Sequence, residues 1–229
     1  MNKRLEIAAT ADERNETDDW LENYADPVQR ERRLRLMSGK LERLGLLDAP
    51  RDISLLDLCC GHGEALGVMH DLGFRNLHGL DITVTRELMA DSRFQVQQGD
   101  ATALPHDDES FDWVTCIHSM HHFASAENVK RFSDEAWRVL KPGGRLSIVD
   151  FPASPQILAA FWFFRHFQWA EVTPYLRYFG KIVREEWSFL KDYLPQWPQV
   201  EACLWHGRYE VERNSQTFFY FHLTLKKPL

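Results

Sequence analysis

Hydrophobic and polar positions in this chain follow two periods, and the places where one gives way to the other outline a fold. An apolar run, Leu55-Leu56-Asp57-Leu58, passes into Cys59-Cys60-Gly61-His62-Gly63, and Glu64-Ala65-Leu66 open a segment with helical periodicity behind it. This reads as strand, glycine turn and helix start. Three more runs read as strands: Asn76 to Asp81, Phe94 to Ala101, and Ser110 to Ile117, the last rich in aromatic and β-branched residues. Between Ser125 and Leu140, the residues Val129, Phe132, Ala136 and Leu140 fall at helical spacing. Lys141-Pro142-Gly143-Gly144 should stop that helix, and Leu146 to Phe151 reads as a fifth strand.

The flanks are less regular. Residues 1–16 are polar, and Thr17 is placed to cap a short helix containing Trp20, Leu21 and Tyr24. Asp26-Pro27 ends it and begins a helix to about Leu47, whose Leu34, Met37, Leu41 and Leu44 share one face. At the other end, Tyr209 to Val211 and Phe218 to Lys226 alternate like strands, with Asn214-Ser215-Gln216 as the turn of a hairpin. The stretch between, Pro152 to Pro198, is aromatic-rich, from Phe161-Trp162-Phe163-Phe164 through Trp187, Phe189, Tyr193 and Trp197. Two readings fit it: ordinary helical core, or a lid over a flat or greasy substrate. Arg165, His166 and Glu171 break it up too often for a membrane span.

The glycine turn gives the chemistry its first handle. Without a Cβ, backbone can approach a ligand closely at the start of a helix. Asp81 and Asp100 then close the next two strand-like runs. In an open parallel sheet, ligands lie outside the carboxyl ends of the strands, so these residues outline one site.

Taken together, these motifs resemble the class I S-adenosylmethionine-dependent methyltransferase family over roughly Leu55 to Phe151. Asp57-Leu58-Cys59-Cys60-Gly61-His62-Gly63 is similar to its glycine-rich motif, Leu80-Asp81-Ile82 to its second-strand motif, and Gly99-Asp100-Ala101 to its third. Phe111-Asp112-Trp113-Val114 with His121-His122-Phe123 resembles the fourth strand and its loop, and Glu135 to Leu146 the helix, Lys-Pro-Gly-Gly turn and fifth strand. The resemblance implies a doubly wound, mostly parallel seven-stranded α/β sheet with helices on both faces and an antiparallel C-terminal strand. It also implies one domain: an N-terminal helical cap over 1–50, a cofactor-binding core over 51–151, a lid over 152–200 and a completing hairpin over 201–229.

The same resemblance implies S-adenosyl-L-methionine as cofactor and assigns roles. Asp81 accepts from the ribose hydroxyls, with Ile82 beside it; Asp100 accepts from the adenine amino group, and the Ala101 amide meets a ring nitrogen. Gly61 and Gly63 admit the methionine part, Asp57 orients the turn or meets the cofactor's ammonium through water, and Cys59, Ile117 and Tyr24 complete the lining. One departure stands out: the family has glycine where this chain has Cys59. The substrate would be a small aromatic or hydrophobic acceptor, methylated at oxygen, carbon or nitrogen, and Val149-Asp150-Phe151-Pro152 looks somewhat like the ubiquinone/menaquinone C-methyltransferase branch. His118, His121 and His122 follow the fourth strand and are the candidate general bases, although transfer from a sulfonium can proceed without one. No metal is expected, since the histidines show no ligand spacing with carboxylates.

Composition narrows the alternatives. The 229 residues are 44% hydrophobic and 27% charged, with a net charge of −7, which argues against a nucleic-acid groove. Cys59, Cys60, Cys116 and Cys203 show no zinc spacing, and the opening Met1-Asn2-Lys3-Arg4-Leu5 lacks an apolar leader core, so a cytoplasmic enzyme is expected. Two rivals remain: a nicotinamide-dependent oxidoreductase, disfavoured because Leu66 stands where its third glycine belongs, and a degenerate, non-catalytic relative in which Cys59 has spoiled the turn.

Overall fold

A computed structural model describes residues 27–123, 125–152, 154–167, 172–205, 208–217 and 219–229. The expected helix with Thr17, Trp20, Leu21 and Tyr24 lies outside the described residues. Helix α1 (Pro27–Leu44) ends a turn earlier than expected, because Gly45 takes φ 89° and Leu46–Asp48 tighten into a 3-10 turn. Then follow β1 (Ser54–Leu58), α2 (Glu64–Asp71), β2 (Asn76–Asp81), α3 (Arg86–Met89), β3 (Gln95–Gln98) and β4 (Phe111–Ile117). After a 3-10 turn at Met120–His122 come α4 (Ala126–Val139) and β5 (Leu140–Asp150). Helices α5 (Pro155–His166), α6 (Pro174–Tyr193) and α7 (Trp197–Trp205) precede β6 (Glu210–Gln216) and β7 (Phe221–Lys226).

These strands form a seven-stranded sheet in the order β3-β2-β1-β4-β5-β7-β6. The first five in that order run parallel, and β7 is antiparallel to both β5 and β6. Strand order reverses between β1 and β4, which opens a crevice at their carboxyl ends. The central strands are apolar on both faces because both are covered. Leu56, Leu58, Val114, Cys116, Leu146 and Ile148 belong to a core shared with α4, α5, α6 and α7, while Leu55, Trp113 and Val149 belong to a second core with α1 and α2.

A buried polar chain ties the layers together. Trp113 Nε1 donates to Ser147 Oγ at 2.9 Å, Ser147 pairs with Thr224 Oγ1 at 2.9 Å, and Thr224 donates to the Leu44 carbonyl at 3.0 Å. Each group would cost about 1–3 kcal/mol if left unpaired in the interior.

Two expected boundaries are corrected. Lys141-Pro142-Gly143-Gly144 does not separate helix from strand: α4 ends at Val139, Leu140 is already extended at ψ 133°, and the segment bulges within β5. Gly143, at φ 77°, donates its amide to the Lys227 carbonyl and so closes the C-terminus onto β5. Asn214, Ser215 and Gln216 are not the hairpin turn but pair in β6 with Leu223, His222 and Phe221. The turn lies between Thr217 and Tyr220, joined by a 2.8 Å hydrogen bond. Strand β6 is an exposed edge, so its polar residues mimic a loop in the sequence.

Candidate active site

The glycine turn leaves the carboxyl end of β1 and meets β2 beside it. Cys60 donates its amide to the Leu80 carbonyl at 3.2 Å, and Gly63 donates to Cys60 at 2.8 Å. Cys59, Gly61 and Gly63 all have positive φ, at 57°, 51° and 76°. At Gly63 the left-handed backbone favours glycine, and a Cβ would lie 2.6 Å from a Leu88 methyl carbon, so that side chain would have to shift. At Gly61 a Cβ would meet nothing within 4 Å, so the turn faces open space there. Cys59 carries its Cβ on a left-handed backbone, which costs about 1–2 kcal/mol and is the conformation that glycine adopts freely.

Beneath the turn lie the carboxylates. Asp81 Oδ2 accepts from the Gly61 amide at 2.8 Å and Oδ1 from the Thr83 amide at 2.9 Å, which fixes the turn against the end of β2. Ile82 follows with 62% of its surface exposed, an apolar residue at the rim of the crevice. Asp57 is buried, and Thr115 donates its hydroxyl to it at 2.6 Å across β1 and β4. Burial raises its pKa to about 7, with the Thr115 hydrogen bond lowering it and the Asp81 charge raising it further. Asp100 Oδ1 accepts from the Thr102 amide and hydroxyl, both at 2.8 Å, shaping the loop after β3 where Ala101 is buried. Ile117 ends β4 on the opposite side of the crevice. Tyr24 lies outside the described residues.

Sequence reasoning missed Lys40. It sits on α1 with its ammonium 5.2 Å from the centre of the Tyr220 ring, which in turn lies 4.3 Å from the His118 ring. Burial lowers its pKa to about 8 despite the favourable charge of Glu64 at the start of α2. Among the described residues no carboxylate comes within ion-pair distance of it. In the sequence it sits three residues after Met37 on a helix whose other lysines and arginines read as a solvated face, so nothing marked it out.

The three histidines part company. His118 has φ 58°, and its Nε2 is buried without a hydrogen-bond partner among the described residues. Burial, together with the charges of Lys40, His121 and His222, holds its pKa well below the usual value. His121 is buried and doubly engaged: Nδ1 lies 2.7 Å from Asp150 Oδ1, and Nε2 lies 3.3 Å from Glu186 Oε2 on α6. Burial alone would lower its pKa, but Asp150 and Glu186 outweigh that and raise it to about 10. His122 stacks against it with ring centres 4.3 Å apart and points its Nε2 at the same Glu186 oxygen, 3.6 Å away. Asp150 is wholly buried and also accepts from the His121 and Phe151 amides at 3.2 and 2.7 Å. The sequence paired neither Asp150 nor Glu186 with the histidines; Glu186 is one charge among many on an amphipathic helix.

The aromatic stretch contributes to the core and also leaves side chains at the surface. Phe161, Leu190 and Tyr193 are buried in the core, whereas Trp162, Phe163 and Phe189 are exposed. Phe189 packs edge-on against His122 at 4.4 Å, so the aromatic layer reaches the histidine cluster. Among the described residues no helix is long and apolar enough to cross a membrane.

Comparison with known proteins agrees with this geometry. The family model described as a methyltransferase domain matches residues 56–148. The 2-phytyl-1,4-naphtoquinone methyltransferase of Nostoc punctiforme is 31% identical over 62% of this chain, and the match spans 64% of that protein. The ubiquinone/menaquinone biosynthesis C-methyltransferase UbiE of Paracoccus denitrificans is 31% identical over 73% of this chain and 71% of its own length. In fold, the PH0226 protein of Pyrococcus horikoshii OT3 superposes with a TM-score of 0.58 at 21% identity, covering 90% of this chain and 95% of that one.

Proposed function

Since the chain belongs to the class I S-adenosylmethionine-dependent methyltransferase family, we propose that it transfers a methyl group from S-adenosyl-L-methionine to a small quinone-type acceptor in its reduced, hydroxyl-bearing form. The observation that carries the reading is the open space above Gly61, with the Asp81 carboxylate bonded to the amide beneath it. When bound, the cofactor supplies a methyl activated by a sulfonium.

The chain's own residues bind, orient and exclude water. Asp81 would accept from the ribose hydroxyls, using lone pairs that its bonds to Gly61 and Thr83 leave available. Ile82 would cover the adenine, and Asp100 and Ala101 would meet its edge. Lys40 would supply the cation that the amino-acid carboxylate requires, since it is half-buried, feels the charge of Glu64 next to the turn, and has no carboxylate in ion-pair distance among the described residues. Holding acceptor and methyl in line supplies several kcal/mol of the rate enhancement. For each methyl gained the acceptor gives up one proton, from a hydroxyl if oxygen is methylated or from the ring carbon if carbon is.

The acceptor would lie under α5 and α6, between the exposed aromatic side chains and the His121–His122–Glu186 cluster. Aromatic walls suit a flat ring, and the cluster suits its oxygen. Two of the relatives carry naphthoquinone or ubiquinone/menaquinone in their names, which favours that class. The test is incubation with S-adenosylmethionine and a panel of reduced naphthoquinones, benzoquinones and simple phenols, followed by mass spectrometry. A gain of one methyl on a quinol, with matching release of S-adenosylhomocysteine, supports the reading. Turnover of phenols or unrelated acceptors in preference to every quinol would refute the acceptor class.

A further inference from the structure

The cluster at the acceptor end gathers three groups able to ligate a metal, and His122 Nε2 approaches the Glu186 oxygen at 3.6 Å, beyond hydrogen-bond distance. His121 Nε2, His122 Nε2 and a Glu186 oxygen converge from two segments, all within 4.8 Å of one another. The Glu186 oxygen stands 3.3 Å from one nitrogen and 3.6 Å from the other. Around a tetrahedral ion with ligand bonds of about 2.0–2.1 Å, neighbouring ligand atoms stand about 3.4 Å apart. The two measured edges match that figure without any side chain moving far.

A second observation points the same way. The remaining ring nitrogen of His121 is held at 2.7 Å by Asp150, which is wholly buried and fixed by two backbone amides. A buried carboxylate on the far nitrogen of a histidine is the usual support of a metal-ligating imidazole: it orients the ring and raises its basicity. Ion binding would displace the proton that His121 Nε2 shares with Glu186, and the two carboxylates, Asp150 and Glu186, would then balance a divalent cation. The buried Tyr193 hydroxyl has no hydrogen-bond partner among the described residues, and its ring centre stands 6.3 Å from that of His121.

We propose that His121, His122 and Glu186 form a binding site for a divalent cation of the zinc class, with Asp150 as the positioning residue behind His121. Three protein ligands leave a four-coordinate ion one position open. The inference rests on the proposed function for what fills that position: a hydroxyl oxygen of the acceptor, whose proton the ion would make easier to release to water. Glu186 comes from α6, so ion binding would also fasten that helix over the acceptor.

The test uses the full chain. Wild-type protein, freed of metal with a chelator, is dialysed against zinc chloride for stoichiometry and loaded with cobalt(II) for its visible spectrum. The expected result is one zinc ion per chain and a four-coordinate cobalt spectrum. Glu186→Gln and His122→Gln should each weaken uptake at least tenfold, and Asp150→Asn by about 10–100-fold, while exposed His166→Gln leaves it unchanged. His122 is largely exposed, so its variant keeps the test valid if the Glu186 variant disturbs the helix. No stoichiometric uptake by folded wild-type protein would overturn the proposal, as would uptake that neither the Glu186 nor the His122 variant diminishes. Titration of the same wild-type sample with S-adenosylhomocysteine separates the two readings. Cofactor binding without metal uptake overturns this inference alone, and metal uptake without cofactor binding overturns the proposed function alone.

Discussion

The two ends of the crevice are built by different means. The end beneath the glycine turn is made of backbone and of residues close in sequence: Cys59 to Gly63 carry the positive φ angles, and Asp81 closes the adjacent strand. The other end is made of side chains from distant segments, with His121 joined to Asp150 and Glu186, 29 and 65 residues further along. A backbone-built site tolerates few substitutions and is shared widely. A site assembled from side chains on packed helices can be altered one residue at a time, which suits the part that chooses the acceptor.

The comparison breaks most visibly at Gly63. Gly63→Ala sets a Cβ at φ 76° where a Leu88 methyl must shift, and we expect a loss of about 1–3 kcal/mol in denaturant unfolding, with cofactor affinity falling as well. A change below about 0.5 kcal/mol would mean that the turn is less constrained than its geometry implies.

The Asp57–Thr115 pair beneath the turn gives the next effect, through pH. The folded pKa of Asp57, about 7, lies above its unfolded value. Its contribution is therefore fully present below about pH 4 and is lost as pH rises through 7. Asp57→Asn should flatten that part of the stability–pH curve, measured by chemical denaturation from pH 4 to pH 8. An unchanged slope would place the titration elsewhere.

The two ends can also be separated by ligand. Lys40→Met should weaken S-adenosylhomocysteine about tenfold, one charged contact, yet leave 5′-methylthioadenosine, which lacks the amino acid, unaffected. Wild-type affinity for S-adenosylhomocysteine should fall as pH rises past about 8, where Lys40 loses its proton. Equal losses for both ligands would make Lys40 merely structural. Conversely, Glu186→Gln should slow acceptor methylation about tenfold while S-adenosylhomocysteine affinity stays within twofold. Joint loss of both would erase the distinction between the two ends.

The smallest effect is expected at Cys59. Cys59→Gly should relieve the strained backbone and offset the entropy cost of glycine, raising stability by up to about 1 kcal/mol. Cofactor affinity should hold or improve. Clear destabilisation would show that the thiol's packing next to Cys116 outweighs the strain.

These differences also explain what the sequence could reveal. Strands β1, β2, β4 and β5 were legible as short apolar or β-branched runs, and β3 by its alternation before Gly99-Asp100, while the sheet architecture came from the family resemblance. The turn was legible because glycine is needed at Gly63 for a local reason. Strand β6 was not, since an exposed edge strand such as Asn214-Ser215-Gln216 carries the polar composition of a loop. Lys40, Asp150 and Glu186 were not either: their roles depend on burial and on partners that only the packed helices bring within reach. His121 and His122 were visible as a pair, whereas the carboxylates that distinguish them from His118 were not.

The most direct measurement of the central claim is calorimetric titration of the wild-type protein with S-adenosylhomocysteine, alongside Asp81→Ala. The account predicts one site per chain with micromolar affinity, weakened at least about 100-fold by the substitution, since two charge-assisted hydrogen bonds are lost. Folded wild-type protein that binds nothing, or binds equally well without the Asp81 carboxylate, would contradict it.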